Sequence, residues 1–299
     1  MARCRVICQS ASVPLDFRHF AGYSGFSPTK SEFFLRLRYM TLSALVGEYV
    51  KGKVLAVQDF TSLLVSSLRR AFTPPRYIID TLLQMDVIGV GSLPIVLLTG
   101  LFTGGVLALQ TYRTLSTFGE VSILGEVVAL SVVRELGPVL TALMLAGRIS
   151  SGIASELGSM LVSEQIDAMR ALGTDPIRKL VLPRLFATLS TLPILTILAD
   201  FCGMLGGFFI SFYTVRLTSE EYWTSVYQTL TFQDVTQGLL KPFFFAVVVA
   251  MVGCYYGLNT TGGTEGVGRS TTQAMVVASV LILVLDFFIT QFLIGIGFF

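Results

Sequence analysis

The stretch SVVRELGPVL, residues 131–140, sits inside a long apolar run. It places Arg134, Glu135, Gly137 and Pro138 where the neighbouring residues avoid charge. Adjacent helix residues do not face one another, so Arg134 and Glu135 cannot neutralise each other along the helix. Each needs a partner on another element, or water. A charge at mid-bilayer costs at least about 2.5–3.5 kcal/mol and commonly marks a polar pathway or cavity. Pro138 cannot donate to the carbonyl four residues back, and its ring crowds that carbonyl, so a kink is expected beside the pair. Two readings stay open on the residues alone. In one, the pair lines a polar pocket in the membrane. In the other it is an ion pair holding helices together, with Asp200 or Asp286 as partner for Arg134.

The surrounding composition makes this a membrane question. The chain has 299 residues, 53% of them hydrophobic and only 13% charged. An average soluble domain carries about 25% charged residues. Mean hydropathy is +0.74, and several apolar runs approach or exceed the roughly 20 residues a bilayer requires. A large soluble protein with buried helices is therefore disfavoured. Cys4, Cys8, Cys202 and Cys254 show no metal spacing, and His19 is the one histidine, which argues against a zinc site or a disulfide framework. The net charge of +2 says little about partners and gives no sign of a nucleic-acid surface.

The expected fold class is an all-α integral membrane protein: an N-terminal interfacial helix, five transmembrane helices, and a cytoplasmic coupling helix between the second and third. Residues 1–39 are basic and lack an apolar signal core, so they read as a disordered tail or an over-long start ahead of Met40, with a transit peptide as the alternative. Residues 40–299 form the membrane domain. Residues 43–72 read as a basic amphipathic helix lying in the membrane interface, with Leu45, Tyr49, Val57, Phe60, Leu64 and Leu68 on one face. Spans are expected at about 88–112, 121–147, 185–213, 240–258 and 274–297.

Orientation follows from basic residues. The region before the first span holds 11 Lys and Arg, segment 148–184 holds five and segment 259–273 one; the opposite side holds three, in 113–120 and 214–241. That bias places the N-terminus and segment 148–184 in the cytoplasm. Tyr222, Trp223 and Tyr227 suit a headgroup interface on the other side. Small residues recur at spacing four: Gly147, Ser151, Ser155 and Ser159, beside Ala146, Ser150, Ala154 and Gly158. Gly100 with Gly104, and Gly203 with Gly207, form two further pairs. Such ladders let helix backbones approach closely in lipid.

Segment SEQIDAMRALGTDPIRKLVLPRL, residues 163–185, is the other informative stretch. A short charged helix, about 163–173, ends at Gly173, a candidate C-cap. It presents Ile166, Met169 and Leu172 at helical spacing, and Asp175-Pro176 restarts the chain. An amphipathic helix between two spans offers a grip to a peripheral partner. The segment is similar to the coupling loop of ABC-transporter permeases: Asp167-Ala168-Met169, then Gly173, then Leu182-Pro183, with the Gly-to-Pro spacing two residues shorter than that pattern.

Together, RELGP in 134–138, AGR at 146–148, SELGSM at 155–160, SEQIDAM at 163–169, DP at 175–176, LPR at 182–184, GVGRSTT at 266–272 and LDFFIT at 285–290 resemble the MlaE family. These are permease subunits of ABC systems that move lipids with MCE-domain proteins. The resemblance runs from about residue 43 to the C-terminus and omits 1–39. It implies a homodimer, a cytoplasmic ABC ATPase dimer holding ATP and magnesium, an MCE-domain ring on the periplasmic side, and in many systems a STAS-domain protein. It implies no cofactor and no metal in this chain. It implies lipid contact at Leu107, Tyr112, Leu115, Phe118, Arg134 and Glu135, and ATPase coupling at Glu164, Asp167, Ala168, Met169, Leu172, Gly173, Asp175 and Pro176.

The expected function is thus an ATP-driven phospholipid permease of a bacterial inner membrane that maintains outer-membrane lipid asymmetry, with a plastid inner envelope as the alternative location. Alternatives in function are a sterol or hydrophobic-solute permease, or a secondary transporter using Arg134–Glu135 as a relay. An intramembrane enzyme with Glu135 or Asp200 as acid or base lacks any clustered His, Ser or metal set. GTEGVGRS, residues 263–270, fits a phosphate-binding loop except that Arg269 replaces the lysine; its place between two spans excludes that role.

Overall fold

The computed structural model describes residues 51, 52, 54–71 and 77–295. The basic tail expected at 1–39 and the first part of the expected interfacial helix lie outside the described residues. Residues 1–57 and 58–299 separate into two units, and only a few helical residues of the first are described.

The described residues are helical almost throughout. In chain order they form α1 (54–71), α2 (Ile78–Phe118), α3 (Val121–Val162), the short α4 (Gln165–Ala171), α5 (Ile177–Val215), α6 (Ser219–Thr229), α7 (Phe232–Leu258) and α8 (Gly263–Gly295). Helices α2, α3, α5, α7 and α8 are each long and apolar enough to cross a membrane. All five coincide with expected spans, and each reaches beyond the apolar run that signalled it. The extra turns are polar or amphipathic, so hydropathy alone does not mark them.

Local chemistry sets the helix ends. Gly119 takes φ 78° after α2, and its N–H reaches the Leu115 carbonyl. Thr218 caps α6: its hydroxyl accepts from the Glu221 N–H at 3.3 Å, while its own N–H donates to the Glu221 carboxylate at 3.0 Å. Those Thr218 donors hold the Glu221 carboxyl below the usual carboxylate range. Thr231 and Asp234 repeat the motif at the start of α7.

Packing follows the small residues. The two glycine pairs meet within this chain. A Cβ on Gly104 would overlap the Gly203 carbonyl, and one on Gly100 would come within 2.5 Å of the Ala199 carbonyl. Helices α2 and α5 therefore cross almost backbone to backbone, which only small residues permit. The stripe Ala146, Ser150, Ala154 and Gly158 is buried within the chain, whereas Ser155 and Ser159 of the neighbouring stripe are exposed. The main core joins Ile153 and Leu157 of α3, Leu192 of α5, Phe245 and Met251 of α7, and Ile282 of α8. Phe60, Leu63 and Leu64 seat α1 on this core, whereas Leu68, which the spacing puts on the same face, is 60% exposed.

The expected kink at Gly137-Pro138 takes a specific form. Residues Val132–Leu136 make a wide π-type turn, closed by the Gly137 N–H on the Val132 carbonyl. Pro138, which has no N–H, stands in the first turn of the α-helical stretch that follows. The extra residue in such a turn re-aims side chains, and such turns are frequent at functional positions. Arg134 and Glu135 lie inside this one.

Candidate functional site

The partners of Arg134 and Glu135 come from α7 and α8. Arg134 meets Asp234: Nη2 is 2.5 Å from Oδ1, and Nε donates to the same oxygen at 2.7 Å. Asp234 is 3% exposed and Arg134 28%. The other carboxylate oxygen of Asp234 accepts from the Thr231 N–H at 2.8 Å and the Thr231 hydroxyl at 2.7 Å. One carboxylate thus starts α7 and neutralises the arginine of α3. The expectation of Asp200 or Asp286 for Arg134 is corrected here. Asp200 sits against Gly137, and its Oδ1 has no hydrogen-bond partner among the described residues.

Glu135 belongs to a second cluster. Lys241, fully buried in α7, places its ammonium 2.6 Å from Glu135 Oε2 and 3.1 Å from Asp286 Oδ1 of α8. Thr290, one helical turn beyond Asp286, donates to Glu135 Oε1 at 3.3 Å. The contact to Asp286 has ion-pair distance without hydrogen-bond alignment. One cation between two carboxylates leaves the cluster net acidic.

The geometry rests on Gly238. Asp234, Gly238 and Lys241 follow i, i+4, i+7 spacing and share one face of α7. A Cβ at Gly238 would overlap the Val133 carbonyl. The close approach of α7 to the wide turn of α3 therefore carries Asp234 to Arg134 and Lys241 to Glu135. From the sequence, the fourth span begins at 240, which leaves Asp234 outside it, and Lys241, at its very start, is counted with the segment before it. The Thr231-x-x-Asp234 capping pattern was the available signal for an earlier start. With Lys241 moved inside α7, the sparsely basic side keeps Arg113 and Arg216 only.

Beside this cluster runs an open groove of about 310 Å³, lined by Phe102, Thr103, Val106, Leu107, Gln110 and Leu136. A narrow crevice between α2, α3 and α5 continues from it, sharing Thr103 and Leu136. Of the other expected lipid-contact residues, Tyr112 and Leu115 are half-buried against Ala108, Leu124, Val128 and Val132, and Phe118 is 75% exposed. Leu107 lines the groove with Leu136 of the wide turn, whereas the Arg134 and Glu135 side chains meet α7 and α8, and Phe118 lies at the end of α2.

The second expected site is α4 and its flanks. Glu164 precedes α4 with φ 59°, and Gly173 follows it with φ 75°, so the expected cap at Gly173 is present. Ile166 is fully buried and Met169 packs partly into the core. Glu164, Asp167 and Ala168 are exposed, and Leu172 is 83% exposed. Asp167 pairs with Arg170 at 2.9 Å. Asp175 is engaged within the chain: it accepts the Ile177 N–H at 3.1 Å and meets Arg70 and Arg178 at 3.2 and 3.6 Å. Behind α4, Arg184 is 4% exposed and reaches Glu156 at 2.7 Å, which ties α5 to α3.

On the far side, Tyr222 is buried against Phe208 and Trp223 and donates to the Met204 carbonyl at 3.0 Å. Burial raises its phenol pKa. Tyr227 is 77% exposed. Segment 263–270 forms the first turns of α8, a helix and not a phosphate-cradling loop.

Five apolar helices, a charge cluster within them and a short helix between the second and third define a multi-pass membrane protein of the transporter-permease class. Residues 81–292 match the family described as permease MlaE. A probable ABC transporter permease protein of Rickettsia typhi is 39% identical over 254 residues, which is 85% of this chain and 98% of that protein. The intermembrane phospholipid transport system permease protein MlaE of Haemophilus influenzae is 39% identical over 215 residues, 72% of this chain and 82% of the relative. The chloroplastic protein trigalactosyldiacylglycerol 1 of Arabidopsis thaliana is 37% identical over 213 residues, 71% of this chain and 61% of the relative. This chain belongs to the MlaE family of ABC-transporter permeases, and a permease subunit is not itself the ATPase.

Proposed function

We propose that this chain is the membrane subunit of an ATP-driven transporter that moves phospholipid between a bacterial inner membrane and an MCE-domain carrier, so maintaining outer-membrane lipid asymmetry. The chloroplastic Arabidopsis relative supports a plastid inner envelope as the second location. The observation that carries the reading is the groove of Leu107 and Leu136 set against a charged turn. An apolar wall suits acyl chains. A guanidinium presents a planar fork of donors whose geometry matches a phosphate. Tyr112 and Leu115 pack toward Leu124 and Val128 and not into this groove, and Phe118 is exposed near the end of α2.

ATP and magnesium belong to a separate ATPase pair. In this reading two copies of the permease assemble, the ATPases grip Glu164, Asp167, Ala168 and Leu172, and Ile166 and Met169 root that helix in the bundle. Gly173, Asp175 and Pro176 shape its exit. An MCE-domain ring occupies the opposite face, and a STAS-domain protein binds the ATPase.

The test is co-expression with the neighbouring genes, purification in mild detergent and native mass spectrometry. Two permeases with two ATPases and bound phospholipid are expected. Charge reversal at Glu164 together with Leu172→Asp, both exposed, is expected to abolish ATPase co-purification, and unchanged yield would overturn the docking assignment. Arg134→Ala together with Asp234→Asn, which leaves no unpaired buried charge, is expected to cut lipid crosslinking from α2 while the complex stays assembled; loss of assembly instead would favour an ion pair that only holds helices together. Bound sterol in place of phospholipid would reassign the substrate.

A further inference from the structure

Asp175 was expected among the ATPase-coupling residues, yet its carboxylate is turned inward. Arg70, in the last described turn of α1, approaches it: Nε lies 3.2 Å from Oδ2, and Nη1 donates to Oδ1 at 3.4 Å. The ion pair and this long hydrogen bond hold the two side chains together. The same carboxylate caps the Ile177 N–H, so it is part of the first turn of α5. Asp175 also stands just beyond Gly173, where the chain leaves α4. One side chain therefore joins three elements: the exit of α4, the start of α5 and the end of α1.

Helix α1 is held elsewhere by apolar contacts. Phe60 packs edge-on against Tyr255 near the end of α7, with ring centroids 5.8 Å apart, and Leu63 and Leu64 rest on the core. In the chain, α1 immediately precedes α2, the helix that supplies Phe102, Val106 and Leu107 to the groove. The Arg70 and Asp175 side chains are 35% and 32% exposed. Ion pairs this open to water contribute little to stability, and they break and re-form readily. The pair is thus poorly suited to holding the fold and well suited to a movable connection.

We propose that Arg70 and Asp175 form a latch that carries displacement of the α4 segment to α1, and through α1 to the groove helix α2. Both are positioning residues, and the latch sets how much lipid moves for each ATP hydrolysed. This rests on the ABC-permease reading above. Domain and helix shifts of this kind propagate when packed elements have discrete arrangements joined by exchangeable contacts.

The assembled transporter in proteoliposomes, with a fluorescent phospholipid as cargo, tests it. Arg70→Glu is expected to keep ATPase co-purification at the unmodified level while lipid transferred per ATP falls several-fold. Adding Asp175→Arg, which restores opposite charges in reversed order, is expected to recover the ratio, and Arg70→Lys alone to retain most of it. A ratio unchanged by Arg70→Glu, or no recovery in the reversed pair, overturns the latch. Loss of ATPase from Asp175→Asn with no change for Arg70→Glu would make Asp175 an ATPase contact instead. A spin-label distance between Ser62 and Gln165 gives a readout independent of transport. It is expected to broaden in Arg70→Glu and sharpen again in the reversed pair. If the unmodified chain retains no ATPase, the permease reading fails, and this distance still decides whether the latch exists.

Discussion

Two charged regions of this molecule obey opposite rules. Around the wide turn of α3, Lys241 has no exposed surface and Asp234 almost none, and Arg134, Glu135, Asp234, Lys241 and Asp286 each have a partner on another helix. Around α4, Asp167 and Arg170 are 59–60% exposed and pair only along their own helix. Lys241 and Asp234 are cut off from water, so leaving either unmatched costs several kcal/mol and partners must be supplied by tertiary packing. In the second, water screens the charges, and a pair contributes about 0–1 kcal/mol. The inner charges fix where helices meet. The outer ones leave their surface available to another molecule.

The sharpest way to break this contrast is Lys241→Met. It leaves Glu135 and Asp286 facing each other without a cation. A loss of about 3 kcal/mol is expected, at the low end for breaking a buried pair because Glu135 keeps some access to solvent. Thermal unfolding in detergent reads it. The triple change Lys241→Met, Glu135→Gln and Asp286→Asn is expected to recover most of the loss, since the penalty comes from unpaired charge and not from the missing bond. A triple variant as unstable as the single one would show that Lys241 acts through packing.

A smaller effect is expected from Thr231→Ala. It removes the hydroxyl that donates to Asp234 and leaves the Arg134 contact in place. Loss of such a cap costs about 1 kcal/mol. Hydrogen exchange in the first turn of α7 should report it, and an effect as large as that of Lys241→Met would mean that the cap, not the ion pair, orients Asp234. The smallest effect belongs to Arg170→Ala. Breaking its exposed pair with Asp167 is expected to shift stability by under about 0.5 kcal/mol. A larger shift in unfolding temperature would erase the distinction between the two regions.

Much of the candidate site was legible before any coordinates. RELGP announced itself because charge and proline in an apolar run are costly. The α4 segment was legible because Gly173 and Asp175-Pro176 bound a short amphipathic helix. Asp234 and Lys241 were not legible as cluster members. They precede or open the apolar run of α7, so hydropathy assigns them to the loop, and nothing local says that α3 lies opposite. Asp175 shows the converse. Its position in a coupling-like motif suggested an outward role, while its carboxylate faces Arg70, more than a hundred residues away in the chain.

The number of spans, the helix breaks, the charged turn in the second span and the family to which they belong are all written in the order of residues. These depend on local composition and spacing, which a bilayer and a helix read directly. Which carboxylate answers which cation, that the two glycine pairs meet each other, and that α1 reaches the exit of α4 emerge from packing alone. Those outcomes depend on which helix faces meet. The small residues Gly104, Gly203 and Gly238 set the distance between helix backbones, and that distance selects the partners.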